Sequence, residues 1–423
     1  MRKLLLLYAM LMVVVSLSAQ QFGGNPPSLK WRQINTDTAR IIYPAGLDSQ
    51  ASRVATIVHR LAADKPVSLG NQFKKVDIVL QNQTVIPNGY VQLGPFRSEF
   101  FLTPDMNNFG QGTVSWTDQL ALHEYRHVQQ FNNFNNGLSK TMKFIFGEEG
   151  YALAINASVP DWFYEGDAVY QETLLSQQGR GRLPLFMNAY PSLWQAGKKY
   201  SWMKLRNGSL KDYVPSHYHL GYLLVNYGRI KYGTDFWTKV TRDASAFKSL
   251  LYPFQAAIKK YAGVDYPTFR KEAFEFYRSR EKSNSTPSAV TNVFPVRKDY
   301  VTSYFFPYSA GKDSLIYLKA SYRHRPAFFV KDATGVKRIR AKDIAVDEQF
   351  SYRNGKIVYA AYENHPRWGW QDYSVIKVLD VQSGRKQKLT SRSKYFTPDI
   401  SVDGTQVAAV QVSTDGRSEL HIL

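Results

Sequence analysis

The 423-residue chain contains no cysteine. That absence excludes disulfide staples, cysteine-ligated zinc or iron–sulfur centres, a thiol nucleophile and a lipidated N-terminal cysteine. Histidine is sparse too, with 8 residues in all, so a metal site has to combine a few imidazoles with carboxylates. Long apolar runs are also missing. Beyond the N-terminal segment, nothing approaches the roughly 18 uninterrupted apolar residues of a membrane helix. Acidic residues are in deficit, 34 against 54 Lys plus Arg, leaving a formal charge of +20. Such a charge invites a nucleic-acid partner, but no recognition motif accompanies it. Its densest cluster is Lys319, Arg323, Arg325, Lys331, Lys337, Arg338, Arg340 and Lys342, with Asp332 the one acid among them. Alternation there reads as a solvated strand face, with an anionic envelope surface as the functional alternative.

Apolar material is ample: 44% of residues are hydrophobic and 14% aromatic, enough for packed cores, and the length implies two domains. Residues 1–19 have the parts of a signal peptide: Met1-Arg2-Lys3, an apolar run from Leu4 to Val15, and small residues ending at Ala19, the expected cleavage point. The chain is therefore expected to be exported, to a periplasm, cell envelope or exterior, and not to span a membrane. Export weakens the nucleic-acid reading further.

Periodicity divides the remainder. Thr38 to Tyr43 and Lys75 to Leu80 read as strands, and Ser49 to Ala63 between them as a helix with Val54, Ile57, Val58 and Leu61 on one face. Pro87-Asn88-Gly89 is turn chemistry, followed by two extended pieces between Tyr90 and Leu102. From Ser115 to about Arg280 the period is helical. Residues 281–292 are polar and nearly free of large apolar groups, and 281–296 read as a linker. Beyond them the period returns to two, with turns at Gly311, Gly355 and Gly404 that recur 44 and 49 residues apart, the spacing of a four-stranded propeller blade. The third unit stops inside a strand at Ile422-Leu423, so the natural protein is expected to continue beyond this chain. A small open β-domain is the alternative.

His123-Glu124-Tyr125-Arg126-His127 carries the chemistry. Ser115 and Asp118 form a capping-box pattern that opens its helix. Residues four apart share a helix face, so both imidazoles can point at one ion while Glu124 sits beside a water there. Two histidines leave a catalytic zinc one protein ligand short. Two downstream carboxylate clusters compete for the place: Glu148-Glu149, flanked by Gly147 and Gly150, and Glu165 in Asp161-Trp162-Phe163-Tyr164-Glu165-Gly166-Asp167-Ala168-Val169-Tyr170-Gln171-Glu172.

Trp-Phe-x-Glu-Gly-x-Ala-x-Tyr-x-Glu downstream of His-Glu-x-x-His resembles the third-ligand helix of the gluzincin zinc metallopeptidases, including the M1 aminopeptidase type. The resemblance implies His123, His127 and Glu165 as Zn2+ ligands, Glu124 as general base, and a downstream Tyr or His as oxyanion donor. Tyr218 is the candidate, with His217 or His219 as substitutes and Ser216 as the cap of their helix. Glu172, two turns after Glu165, is placed to orient a histidine ligand or to form a structural ion pair. The gap from His127 to Glu165, 38 positions, exceeds that of the M1 type, and an extra helix near 138–155 fills it. The extended piece from Val91 to Leu102 is a candidate sheet edge for a peptide substrate, or a core strand. Val378-Leu379-Asp380, Ser383-Gly384 and Leu389-Thr390 resemble the end of a Tol-B-like propeller blade.

The expected fold class is accordingly α+β: a gluzincin-like domain over 20–280, with a small mixed sheet and a helical subdomain, and an incomplete all-β propeller-like domain over 297–423. The expected function is zinc-dependent hydrolysis of a peptide or protein substrate. The alternative is a non-catalytic envelope scaffold that binds a protein partner through its propeller.

Overall fold

The computed structural model describes residues 23–63, 69–281, 293–294 and 299–423. The signal-peptide expectation lies outside the described residues, as does the linker apart from Glu281, Val293 and Phe294. The architecture is α+β. It comprises a five-stranded mixed sheet, a helical body and three antiparallel sheets.

The first sheet contains β1 (Trp31–Asn35), β2 (Ala39–Pro44), β3 (Val76–Gln81), β4 (Asn88–Gln92) and β5 (Arg97–Phe101), in the order β1-β2-β3-β5-β4. Helix α1 (Asp48–Ala63) joins β2 to its parallel neighbour β3, and β3 is also parallel to β5. Strand β4 then turns antiparallel against β5, which places it at the edge of the sheet. The expected extended stretch from Val91 to Leu102 is thus two strands. Only the first is an edge; β5 is internal, buried from Ser98 to Phe101. Asn88 and Gly89, expected in a turn, begin β4.

Val54, Val58 and Leu61 of α1 pack with Ile41, Ile78, Leu80 and Phe100 of the sheet. The same core takes Leu120, Ala121, Tyr125 and Val128 from α2 (Trp116–Asn133), so the helix bearing the histidine motif lies on the sheet. Ser115 is its N-cap by backbone position but makes no side-chain cap bond, and the Asp118 carboxylate is held instead by Arg53 at 2.9 and 2.7 Å. The capping-box expectation therefore fails because a competing cation takes its acid.

The helical body follows: α3 (Gly137–Ser158), α4 (Asp161–Leu175), α5 (His217–Tyr232), α6 (Phe236–Ser245), α7 (Pro253–Ala262) and α8 (Tyr266–Arg278), with a 3-10 turn and three short helical segments between α4 and α5. Trp162, Phe163, Leu224, Trp237, Phe254 and Phe269 fill its centre. Helix α3 supplies the extra helix expected in the gap, broken at Gly147, whose φ of 67° belongs to the left-handed region. Helices α4 and α5 cross with almost no space between backbones. A Cβ at Gly221 would lie 1.8 Å from the Trp162 carbonyl oxygen, and one at Gly166 would lie 2.1 Å from the Gly221 carbonyl carbon.

The last region holds four-stranded meanders β6–β9 (Thr302–Ser309, Leu315–Ser321, Ala327–Asp332, Gly335–Ala341) and β10–β13 (Phe350–Arg353, Lys356–Asn364, Asp372–Asp380, Lys386–Lys388). Three strands follow, β14–β16 (Tyr395–Ile400, Val407–Val412, Ser418–Ile422). Gly311, Gly355 and Gly404 all have positive φ and each turns the first strand of its sheet into the second, as the spacing predicts. Among the described residues these sheets do not close a ring. The basic cluster is solvated along β9, where Lys337, Arg338 and Arg340 are exposed. Lys342 departs from that face: it is buried, and its Nζ donates to the Asp347 carbonyl at 2.9 Å.

Candidate metal centre

Helix periodicity sets the first half of the site. His123 and His127 lie four residues apart on α2, their ring centroids 5.0 Å apart. Helix α4 crosses α2 and brings Glu165 between them. Its Oε2 is 3.2 Å from His123 Nε2 and 3.6 Å from His127 Nε2. The donor atoms of His123, His127 and Glu165 all lie within 4.8 Å of one another, the arrangement of a site that could hold a metal ion. Two imidazoles and one carboxylate are a donor set suited to zinc, with a coordination position left over.

The opposite nitrogen of each ring is also engaged, which decides the tautomer. His123 Nδ1 faces Glu172 Oε2 at 3.1 Å. A carboxylate only accepts, so Nδ1 carries a proton; Nε2, which without metal donates to Glu165, is the nitrogen left to offer its lone pair to an ion that displaces its proton. Arg180 Nη2 also approaches His123 Nδ1, at 2.9 Å. Because a protonated Nδ1 cannot accept, the guanidinium bonds go to Glu172, with Nε at 2.7 Å from Oε1 and Nη2 at 3.0 Å from Oε2. His127 Nδ1 faces Gln130 Oε1 at 2.8 Å, while Gln130 Nε2 donates to the Tyr164 carbonyl at 3.0 Å and to Asp167 at 3.1 Å. Asp167, fully buried, in turn accepts from Arg126 at 2.6 and 3.1 Å and from Arg229 at 3.2 Å.

The charges follow from these contacts. Burial opposes charge on His123, but Glu165 and Glu172 outweigh it and hold its pKa up at about 9 without metal. Burial likewise opposes ionised Glu172, yet Arg180 and His123 bring it down to about 2. Glu165 is held well below the usual carboxylate range by the two histidines, against its burial. Glu124 moves the other way: burial raises it, and the neighbouring imidazoles only partly offset that. A carboxylate shifted upward beside a metal-ligand cluster is suited to taking and returning a proton.

The cluster opens into a cleft of about 450 Å³ lined by Gly89, Tyr90 and Val91 of β4, by Glu124, and by His217 and Tyr218 of α5. Strand β4 approaches so closely that a Cβ at Gly89 would stand 2.8 Å from Glu124 Oε1. Tyr218 stacks near His123, ring centroids 6.3 Å apart, the Arg180 guanidinium lies over its ring at 5.1 Å, and burial raises its pKa. Of its two substitutes, His217 lines the cleft, whereas His219 turns away to stack on Phe186 at 4.3 Å and to meet the Ser216 hydroxyl at 2.7 Å. Ser216 thus makes no side-chain cap. Glu148, the rival ligand, instead accepts from the Gly94 amide at 2.8 Å and pairs with Lys74 at 3.5 Å.

No family model and no curated protein matches the chain. Among solved structures it is similar to TolB from Acinetobacter baumannii, at 20% identity and a TM-score of 0.21, over 26% of this chain and 27% of that one. A superposition that small assigns neither fold nor function. Among the described residues no helix is long and apolar enough to cross a membrane.

Sequence reasoning missed three members of this centre. Gln130 stands three residues after His127 on the same helix face, a signal that was available. Gly89 resembled a turn because its constraint, the approach of Glu124, comes from a distant segment. Arg180 sits in a short 3-10 turn, Arg180–Arg182, with no periodicity to mark it.

Proposed function

We propose that the chain is an exported zinc-dependent peptidase of gluzincin type, with His123, His127 and Glu165 as ligands and Glu124 as general base. One observation carries the reading: the three donor groups converge within 4.8 Å at the floor of an open cleft, with Glu124 alongside. Zinc bound there would act as a Lewis acid toward a scissile carbonyl and toward water. Glu124, whose burial favours a proton, accepts one from water and delivers it to the leaving amine. Tyr218, which lines the same cleft, would donate a hydrogen bond to the oxygen that gains charge. Its raised pKa keeps that proton on the phenol. Glu172 and Gln130 hold the ligand rings in the tautomers that expose Nε2. The repeated sheets beyond residue 300 are read as the start of a Tol-B-like propeller.

A scaffold role for the metal helix needs neither a buried base nor an open cleft, and both are present here. Glu124→Gln should retain zinc and lose hydrolysis of an unstructured protein such as casein, whereas Glu165→Ala should lose zinc. Turnover by the Glu124 variant, or full metal content in the Glu165 variant, would overturn the assignment.

A further inference from the structure

The loop between β3 and β4, residues 82–87, is gripped from the repeated-sheet region by two oppositely charged side chains. The Lys394 ammonium donates to the Asn82 carbonyl at 2.5 Å and to the Thr84 carbonyl at 3.0 Å. The Asp372 carboxylate accepts from the Val85 amide and from the Thr84 hydroxyl, the latter at 3.0 Å. All three side chains are buried, Thr84 at 2%, Asp372 at 3% and Lys394 at 8% exposure. Asn82 adds a bond to the Thr414 carbonyl at 2.6 Å, and Val85 packs with Phe396 and Val412. A second line of contact runs through the sheet: Trp370 lies 5.1 Å from Phe101 of β5, and Phe101 lies 6.1 Å from Tyr90, which lines the cleft.

The loop leads directly into β4, the strand that forms the cleft wall and touches Glu124 through Gly89. An edge strand paired on one side is the weakest part of a sheet, and its position depends on how its ends are tied. A surface loop here would serve the chain equally well if it only had to connect β3 to β4. Burying a lysine and an aspartate to hold two peptide units of one loop, 82–83 and 84–85, has a desolvation cost, so the contact fixes geometry more than it adds stability.

We propose that Asp372 and Lys394 are positioning residues for the edge strand, so that the repeated-sheet region sets the register and rigidity of the surface on which substrate lies. The substrate part of this inference rests on the peptidase reading; the strand part does not. Neither residue reaches the metal ligands, so neither acts on the chemistry itself.

The test uses the full chain, zinc-loaded, as Lys394→Met and Asp372→Ala, with Asp372→Asn as the conservative variant that keeps an acceptor for the Val85 amide. Amide hydrogen exchange at Asn88–Gln92 should accelerate about tenfold in the first two and recover in Asp372→Asn, while the helical body exchanges as before. With an extended peptide, KM should rise about tenfold and kcat stay within about twofold, zinc content being unchanged. Unaltered exchange in β4 would overturn the proposal. So would uniform acceleration over the whole chain, which would mark a structural contact only. A wild-type protein that cleaves no peptide would overturn the peptidase reading and leave the exchange result to decide the strand.

Discussion

Gly89 shows how narrowly single residues set this site. With no side chain of its own, it lets β4 lie against Leu120 and Glu124, at distances where a Cβ would stand 2.7 and 2.8 Å away. On the peptidase reading, Gly89→Ala should displace Glu124 by a fraction of an ångström, lowering kcat about 10- to 100-fold while zinc content stays at the wild-type level. A variant with normal kcat would show that Glu124 does not need its present seat. At this scale the three converging donor groups were legible in the sequence because His123 and His127 share one helix and Glu165 sits in a dense motif. Residues whose role arises only from tertiary approach, Gly89 and Arg180, left no local mark. Lys342 misled for the same reason, since its alternating neighbours are solvated while it turns inward.

Among elements, the crossing of α4 and α5 decides where Tyr218 stands. The two helices meet at Gly166 and Gly221 with their backbones in contact, and Tyr218 lies one turn before that contact. Gly221→Ala should force the helices apart, costing about 1–3 kcal/mol in denaturant unfolding and weakening turnover more than metal binding. Equal losses of both would place the effect on the ligands rather than on α5. Element type was well marked by period: α1, β2 and β3 begin and end within a residue of expectation. Pairing was less accessible. Nothing local distinguishes β4 from β5 as the edge, because the order β3-β5-β4 is a property of the whole sheet.

Over the whole molecule, the candidate metal centre is assembled by contacts that need no metal. Arg126, between the two histidines in sequence, anchors α2 to Asp167 of α4, and Arg229 brings in α5. Chelated protein should therefore keep a single cooperative unfolding transition. Its pH dependence has a definite sign. His123 without metal titrates near 9 against an ordinary 6.5, so its protonated form stabilises the fold fully below 6.5, and that contribution disappears as pH rises to 9. The midpoint of chelated protein should fall across that interval, and zinc, which competes with the same proton, should bind more tightly. A midpoint that rises instead would contradict the contacts of His123 with Glu165 and Glu172.

The position of Arg126 has a further consequence. The motif that offers ligands to an ion also welds together the helices that carry them, so recognition and assembly are encoded in the same five residues. An ion arriving late, after folding, would find its seat ready. Losing it would leave a fold able to wait for another.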